Sequence, residues 1–214
     1  RNTGDNLSIQ AVAGSGKTTT LIEAFKLVPA EGAIFLAFNK AIADGLQTRG
    51  VRASTLHSLG YRICQQNLGF CKSNDRKLRN IWSYEMHKID SMTTREKIDH
   101  NMAFTVLEQI VSLCKSWGVV PSKAPAMIPQ IISHYDIDTP AELTNLTEKV
   151  VKLLEYSIAK SKTIDFDDMI YWPAIMPQWT FPQFSTIFVD EAQDLNHAQR
   201  IFISRLLAPT GRII

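Results

Sequence analysis

Features of specialised protein classes are scarce in this chain of 214 residues. Its three cysteines, Cys64, Cys71 and Cys114, are odd in number and show no CxxC or Cys/His spacing. We therefore expect reduced, packed thiols, and neither a disulfide framework nor a zinc site. No apolar run approaches the roughly 18 residues that a membrane-spanning helix needs, and residues 1–6 lack the apolar core of a signal peptide. These absences predict a cytoplasmic, intracellular protein with no membrane partner.

A large excess of one charge is also lacking. The chain has 23 basic and 21 acidic side chains and is 45% hydrophobic, which excludes disordered and collagen-like chains. The charges are unevenly placed, because residues 1–71 carry seven basic and four acidic side chains, whereas residues 164–214 carry three and six. The mild basic excess is compatible with nucleic acid. The acidic excess comes from clustered carboxylates, which are candidate functional groups.

Strand and helix patterns alternate in the first third of the chain. Residues 7–12, 33–38 and 51–54 are short apolar runs, typical of strands that are buried in a parallel sheet. Residues 17–27 and 57–68 have apolar side chains at helical spacing. This βαβαβα order predicts an α/β fold, with a parallel sheet flanked by helices.

The middle of the chain, from about residue 73 to residue 162, has helical patterns alone. Thr139, Pro140 and Glu142 form a helix-start pattern in which Thr139 is the N-cap. An all-helical segment inserted into the α/β fold is therefore expected. The predicted helices are residues 75–86, 94–113, 126–134 and 140–160.

Sheet character returns after this segment. Residues 186–190 form an apolar run that ends in carboxylates, and residues 196–207 have helical spacing. Residues 212–214 are typical of the start of a further strand. The simplest interpretation is one parallel sheet interrupted by a helical insertion.

A glycine-rich loop joins the first predicted strand to the first predicted helix. Gly14 and Gly16 permit backbone conformations that a Cβ atom would obstruct, and backbone N–H groups at a helix start can surround a phosphate. Lys17 would reach the β- and γ-phosphates of a nucleotide, and Thr18 would offer its hydroxyl to Mg²⁺. The strict phosphate-loop pattern begins with glycine where this sequence has Ala11, but its Gly-Lys-Thr core is intact.

An acidic pair follows the predicted strand at residues 186–190. Asp190 and Glu191 are expected at the carboxyl edge of the sheet, where the phosphate loop also lies. Asp190 would hold Mg²⁺ together with Thr18, and Glu191 would orient or deprotonate the attacking water. The two motifs predict a P-loop protein that hydrolyses ATP or GTP. The predicted nucleotide-binding residues are Ala13, Gly14, Ser15, Gly16, Lys17, Thr18 and Thr19.

Five short motifs occur in the order found in UvrD/Rep-like superfamily 1 DNA helicases, and the chain resembles the N-terminal part of that family. Each motif is modestly specific alone, whereas five in the same order are highly specific. The resemblance covers roughly residues 7–70 and 164–214, and the middle matches only in placement. The motifs are Ala13-Gly-Ser-Gly-Lys-Thr18, Ala37-Phe-Asn-Lys-Ala-Ile-Ala43, Thr55-Leu-His57, Ile164-Asp-Phe166 and Val189-Asp-Glu-Ala-Gln-Asp194.

The resemblance implies a RecA-like P-loop domain (1A) at residues 1–71 and 164–214, with a helical subdomain (1B) inserted at residues 72–163. It implies ATP and Mg²⁺ as cofactors, with Lys17 and Glu191 in catalytic roles. Gln193 matches a residue that senses the γ-phosphate and couples it to the DNA side.

DNA contacts are also implied by the resemblance. Phe38, Asn39 and Lys40 match motif Ia, and Thr55 and His57 match motif Ib, both of which lie along single-stranded DNA in the family. An aromatic ring can stack on a base, while lysine and hydroxyl groups bind phosphate without reading sequence. The implied partners are single-stranded DNA and junctions of single- and double-stranded DNA, with movement in the 3′→5′ direction.

Three family features are missing. The upstream glutamine motif that contacts adenine would precede the first strand, but residues 1–6 contain no glutamine and Gln10 lies within the predicted strand. A Gly-Asp-x-x-Gln motif and a second RecA-like domain, whose arginines complete the ATP site, would follow residue 214. We therefore interpret the chain as the N-terminal part of a larger helicase, nucleoid-associated or nuclear, and expect little activity from this part alone.

Three alternatives remain at this point. A RecB- or AddA-like nuclease-helicase shares these motifs and carries its nuclease further downstream. A P-loop module that binds ATP as a switch would have no use for Glu191. A P-loop kinase would leave the motif Ia and Ib residues unexplained.

Overall fold

A computed structural model gives the structure of residues 5–10, 12, 14–86, 92–140 and 143–214. No helix in these ranges is long and apolar enough to cross a membrane. Cys64, Cys71 and Cys114 are all buried, as expected for packed side chains.

Helices and strands alternate at both ends of the chain, and helices fill its middle. In chain order the elements are α1 (Lys17–Lys26), β1 (Ala33–Ala37), α2 (Lys40–Gln47), β2 (Ala53–Thr55), α3 (Leu56–Leu68), β3 (Lys72–Ser73), α4 (Lys77–Asn80), α5 (Thr94–Ser116), α6 (Ala124–His134), α7 (Leu146–Ala159), β4 (Thr163–Ile164), α8 (Asp168–Ile175), β5 (Phe184–Val189), α9 (His197–Leu206) and β6 (Leu207–Ile213).

The main sheet has four parallel strands in the order β2-β1-β5-β6. Phe35 of β1 lies opposite Ala53 of β2 and Phe188 of β5. All of β1 is buried, as expected for a strand covered on both faces. The predicted α/β fold with a parallel sheet flanked by helices is therefore confirmed.

Each face of the sheet packs against its own group of helices. On one face, Phe35 and Phe188 form a core with Phe25 of α1 and with apolar residues of α2. On the other face, Ile187 packs with Phe202 of α9 and with side chains from α3 and α8. Because the strands are parallel, β1, β2 and β5 all end at the same edge of the sheet.

The segment between β3 and β4 is helical and has a core of its own. This core contains Trp82, Phe104, Ile110, Ile128 and Leu153. The short strands β3 and β4 pair in parallel, so the chain leaves and re-enters the α/β part side by side. The helical segment also packs on α8, through Tyr171 and Trp172.

The prediction of a first strand at residues 7–12 is wrong. Residues 7–10 and 12 form no strand, and the described residues from 5 to 10 are exposed. The Leu7 N–H donates a 2.9 Å hydrogen bond to the Ile213 carbonyl, so this segment meets the end of β6 without forming a ladder. Gln10 accordingly does not lie in a strand. Strand β6, by contrast, is longer than the predicted residues 212–214.

Two predicted helices also differ from the structure. The helix expected at residues 140–160 begins only at Leu146, because Asn145 has a left-handed backbone (φ 54°) that a right-handed helix cannot include. Thr139 is therefore not its N-cap, and residues 141–142 lie outside the described ranges. The helix expected at residues 75–86 is the short α4 followed by a π-helical turn, Ile81–Met86.

Candidate functional site

The predicted phosphate loop leads directly into the N-terminus of α1. Gly14 and Gly16 have φ angles of 76° and 85°, a left-handed region that glycine enters at little cost. Because α1 starts directly after Gly16, its first N–H groups have no acceptor within the helix and can bind an anion. Ser15 and Thr19 are exposed at this helix start, and Ala13 lies outside the described residues.

The acidic pair lies at the carboxyl end of β5, beside the start of α1. Thr18 Oγ1 donates a 3.0 Å hydrogen bond to Asp190 Oδ2, although 172 positions separate the two residues. Lys17 Nζ lies 3.9 Å from Glu191 Oε2. Glu191 has a left-handed backbone with φ 53°, which costs a residue other than glycine on the order of 1–3 kcal/mol. The structure thus brings all four of these predicted residues together.

Gln193 extends the acidic site along the turn that follows β5. Its Nε2 donates a hydrogen bond to Glu191 Oε2, so the amide holds the carboxylate that sequence analysis assigned to water activation. A cavity of about 760 Å³ opens beside these groups, large enough for a nucleotide. Its wall includes Gln10, Lys17, Leu21, Asp190, Glu191 and Gln193.

A second cavity, of about 230 Å³, shares the acidic turn. Two of its aromatic side chains are well exposed, Phe38 at 67% and Phe166 at 54%. Phe166 stacks on His57, with ring centroids 3.7 Å apart and 13° between the ring planes. Asp190 and Glu191 border both cavities. The wall of the second cavity includes Phe38, His57, Phe166, Asp190, Glu191 and Asp194.

A family model for the UvrD/REP helicase N-terminal domain matches residues 1–214 of the chain. The chain belongs to this family. It is also similar to F-box DNA helicase protein 1 of Schizosaccharomyces pombe, with 40% identity over 63 residues. That match covers 28% of this chain and 7% of the relative, so the chain spans far less than two thirds of the curated protein.

Two of the residues for which the family resemblance implied DNA contacts are helix caps. Asn39 Oδ1 accepts a 2.9 Å hydrogen bond from the Ile42 N–H at the start of α2. Thr55 Oγ1 accepts a 3.1 Å hydrogen bond from the Ser58 N–H at the start of α3. Such hydrogen bonds provide an acceptor for N–H groups in the first turn of a helix, which have none within the helix. Thr55 is the last residue of β2, whereas Asn39 and the exposed Lys40 follow β1. Both strands end at the same sheet edge as the acidic turn.

The surroundings of His57 favour the neutral form of its imidazole. Burial lowers the pKa of its imidazole from the ordinary value, and the nearby carboxylate of Asp167 offsets only part of that effect. A neutral imidazole ring can lie flat against Phe166, because this contact removes no charge from water. The stacked pair therefore forms a flat, largely apolar surface beside the second cavity.

Phe166 is a residue of this UvrD/REP-type site to which sequence reasoning assigned no role. It belongs to the motif Ile164-Asp-Phe166, and the available signal was an aromatic side chain within a run of carboxylates at residues 165–168. Its contact with His57 joins distant parts of the chain. Nothing in the local pattern predicts that contact.

Proposed function

We propose that this domain binds ATP and single-stranded DNA as part of an ATP-dependent DNA helicase or translocase, which couples ATP hydrolysis to movement on DNA and unwinding. One observation carries the proposal: the acidic turn borders both the cavity beside Lys17 and the cavity beside Phe166. Membership of the UvrD/REP family supports it and favours 3′→5′ movement. A second RecA-like domain would complete the ATP site in the full-length protein.

The cavity beside Lys17 has the groups that a nucleoside triphosphate requires. The N–H groups at the start of α1, together with Lys17, would bind the phosphates. Thr18 and Asp190 present oxygen atoms 3.0 Å apart, which fits Mg²⁺, since this cation prefers oxygen ligands and takes few of them from protein. Bound Mg²⁺ would neutralise charge that develops on the phosphates.

Glu191 favours hydrolysis over passive nucleotide binding. A general base must lie within hydrogen-bond reach of the water that it deprotonates, and Glu191 lies beside the phosphate-binding lysine. A module that uses ATP only as a switch would need no such carboxylate. Gln193 contacts Glu191 on the ATP side, while Asp194, the next residue, borders the aromatic cavity. We infer that this turn transmits the state of the phosphates to the DNA side.

The aromatic cavity has the chemistry of a sequence-independent single-strand site. Exposed rings such as Phe38 and Phe166 can stack on any base, because every base has a π-face. Lys40 is exposed two residues after Phe38 and would bind backbone phosphate. Asn39 and Thr55 fix the starts of α2 and α3, and so hold these groups at the sheet edge.

Fluorescence anisotropy of a labelled oligothymidylate tests this proposal. Phe38→Ala should weaken binding about 5- to 150-fold, since stacking contributes about 1–3 kcal/mol per base. Phe70→Ala is the matched control, because Phe70 is also exposed, at 73%, but does not line the cavity. Wild-type binding should fall steeply with salt and depend little on base sequence. Failure of the wild type to bind, or equal affinity of Phe38→Ala and wild type, would contradict the proposal.

A further inference from the structure

Four charged side chains meet in the buried interface between the helical segment and α8. Lys115 of α5 is only 1% exposed, and its Nζ lies 2.6 Å from Asp165 Oδ2 and 2.8 Å from Asp168 Oδ1. Lys77 of α4 lies 2.7 Å from Asp168 Oδ2. Two ammonium groups thus face two carboxylates. Buried charges of this kind are stable only as a complete set, because removing one leaves the others uncompensated.

The charged cluster closes the turn formed by residues 165–168. The Asp168 N–H donates to Asp165 Oδ1 at 2.8 Å, and the Asp165 N–H donates to Asp168 Oδ2 at 3.1 Å. Ser112 Oγ, also on α5, donates a 2.7 Å hydrogen bond to Asp167 Oδ2. The carboxylates of Asp165, Asp167 and Asp168 all accept hydrogen bonds, while the Phe166 side chain is exposed.

Lys115 makes the central contact of the cluster. It bridges both carboxylates, whereas Lys77 reaches only Asp168. Burial lowers the pKa of Lys77. For Lys115 burial acts in the same direction, but the carboxylates of Asp165 and Asp168 outweigh it and raise its pKa. Lys115 thus has two carboxylate partners that stabilise its charged form.

Phe166 connects this turn to the α/β part of the chain. Its ring lies on His57, the second residue of α3, which directly follows β2. The helical segment thus supplies the lysines and the serine that fix the turn, and the turn places the ring at the edge of the main sheet.

We propose that Lys115 is a positioning residue for the single-strand site: from the helical segment, it holds the 165–168 turn so that Phe166 stays stacked on His57. The inference rests on the proposed function only for its effect on DNA. Without the Lys115 ammonium, Lys77 still pairs with Asp168, but Asp165 loses its ion-pair partner in the cluster. Repulsion between the two buried carboxylates then opens the turn and frees the ring.

The ring stack can be measured in the absence of DNA. Because the two rings are stacked, Phe166 should shift the NMR signals of the His57 ring protons upfield. Loss of these signals in His57→Gln would identify them. The shift should disappear in Phe166→Ala and shrink strongly in Lys115→Met, which keeps the chain length without the charge. Lys123→Met, at an exposed lysine, is the matched control and should leave it unchanged. An unaltered His57 shift in folded Lys115→Met would overturn the proposal.

DNA affinity supplies a second readout through a double-mutant cycle. Phe166→Ala and Lys115→Met should each weaken oligothymidylate binding about 5- to 150-fold. The double variant should bind the oligothymidylate no more weakly than Phe166→Ala does. The affinity for an ATP analogue should not change in any of the three variants. Fully multiplicative losses would overturn the positioning role. If Phe166→Ala leaves DNA binding intact, the proposed DNA site is contradicted. The NMR measurement still tests the positioning role of Lys115 in that case.

Ser112→Ala provides the test if Lys115→Met does not fold, as judged by circular dichroism. It removes one partly buried hydrogen bond to the turn and no charge. A reduced His57 shift in this variant supports the control of Phe166 by α5. An unchanged shift contradicts it.

Discussion

At the scale of single residues, Thr18 makes the contact that joins the phosphate loop to the acidic turn. Its hydroxyl donates to Asp190, and both groups are hard oxygen ligands that suit Mg²⁺. Thr18→Ala should lower the Mg²⁺ affinity of the nucleotide complex about 10-fold or more, since loss of a group that only supports a metal ligand already costs about 10- to 100-fold. Titration of Mg²⁺ into the protein with a fluorescent ATP analogue measures this loss.

Thr20→Ala is the matched control for Thr18→Ala. Thr20 lies on the same helix and is exposed, and its hydroxyl donates a hydrogen bond to the carbonyl of Gly16. It should leave the Mg²⁺ dependence unchanged. Equal Mg²⁺ dependence in both variants and the wild type would remove Thr18 from the metal site.

A functional residue could be predicted when the residues that it acts with are close to it in the sequence. The loop glycines, Lys17 and Thr18 form a contiguous pattern, and Asp190 and Glu191 follow an apolar run, so the sequence indicated all of them. The left-handed backbone of Glu191 could not be predicted, because glutamate rarely adopts it. Lys115 and Phe166 also escaped prediction, since their partners lie far away in the sequence.

At the scale of elements, the packing of α3 on α8 depends on the absence of a side chain at Gly60. A Cβ atom there would overlap the carbonyl oxygen of Met169, a backbone atom that cannot move aside alone. Gly60→Ala should therefore lower the free energy of unfolding by about 1–3 kcal/mol or more. Urea denaturation followed by circular dichroism measures the change.

Gly45→Ala is the opposite case in the same fold. Gly45 lies within α2, and a Cβ atom there meets nothing within 4 Å. Alanine should raise the free energy of unfolding by about 0.5–1 kcal/mol, because glycine is the more costly residue in a helix interior. If both variants were equally stable, the close packing of α3 and α8 would be disproved.

The predicted elements match the structure where the spacing of apolar residues and the flanking turn residues indicated the same element. Strand β1 and helices α1 and α3 lie within one or two residues of the predicted ranges. The helix predicted at residues 140–160 is present, but its predicted start is wrong. Thr139 and Pro140 resemble a helix start, whereas the left-handed backbone of Asn145 prevents the helix from beginning before Leu146. The strand predicted at residues 7–12 failed because strand formation requires a paired neighbour, which local apolar character does not supply.

At the scale of the whole molecule, the order of the strands in the main sheet determines which residues become neighbours. β1, β2 and β5 pair in parallel although a long helical segment separates β2 from β5 in the sequence. This order brings Phe38, His57 and Asp190 to one edge. The sequence predicted a shared edge for the acidic pair and the phosphate loop, but the aromatic cavity beside them depends on contacts across the whole chain.

The most direct test of two adjacent sites on this chain is a crossed measurement of both ligands. Isothermal titration would measure a non-hydrolysable ATP analogue with Mg²⁺, and separately an oligothymidylate, against wild type, Lys17→Ala and Phe166→Ala. Lys17→Ala should lose affinity for the ATP analogue and keep its affinity for DNA, while Phe166→Ala should do the reverse. A wild type that binds neither ligand, or variants that each lose both ligands equally while remaining folded, would contradict separate ATP and DNA sites on either side of the acidic turn.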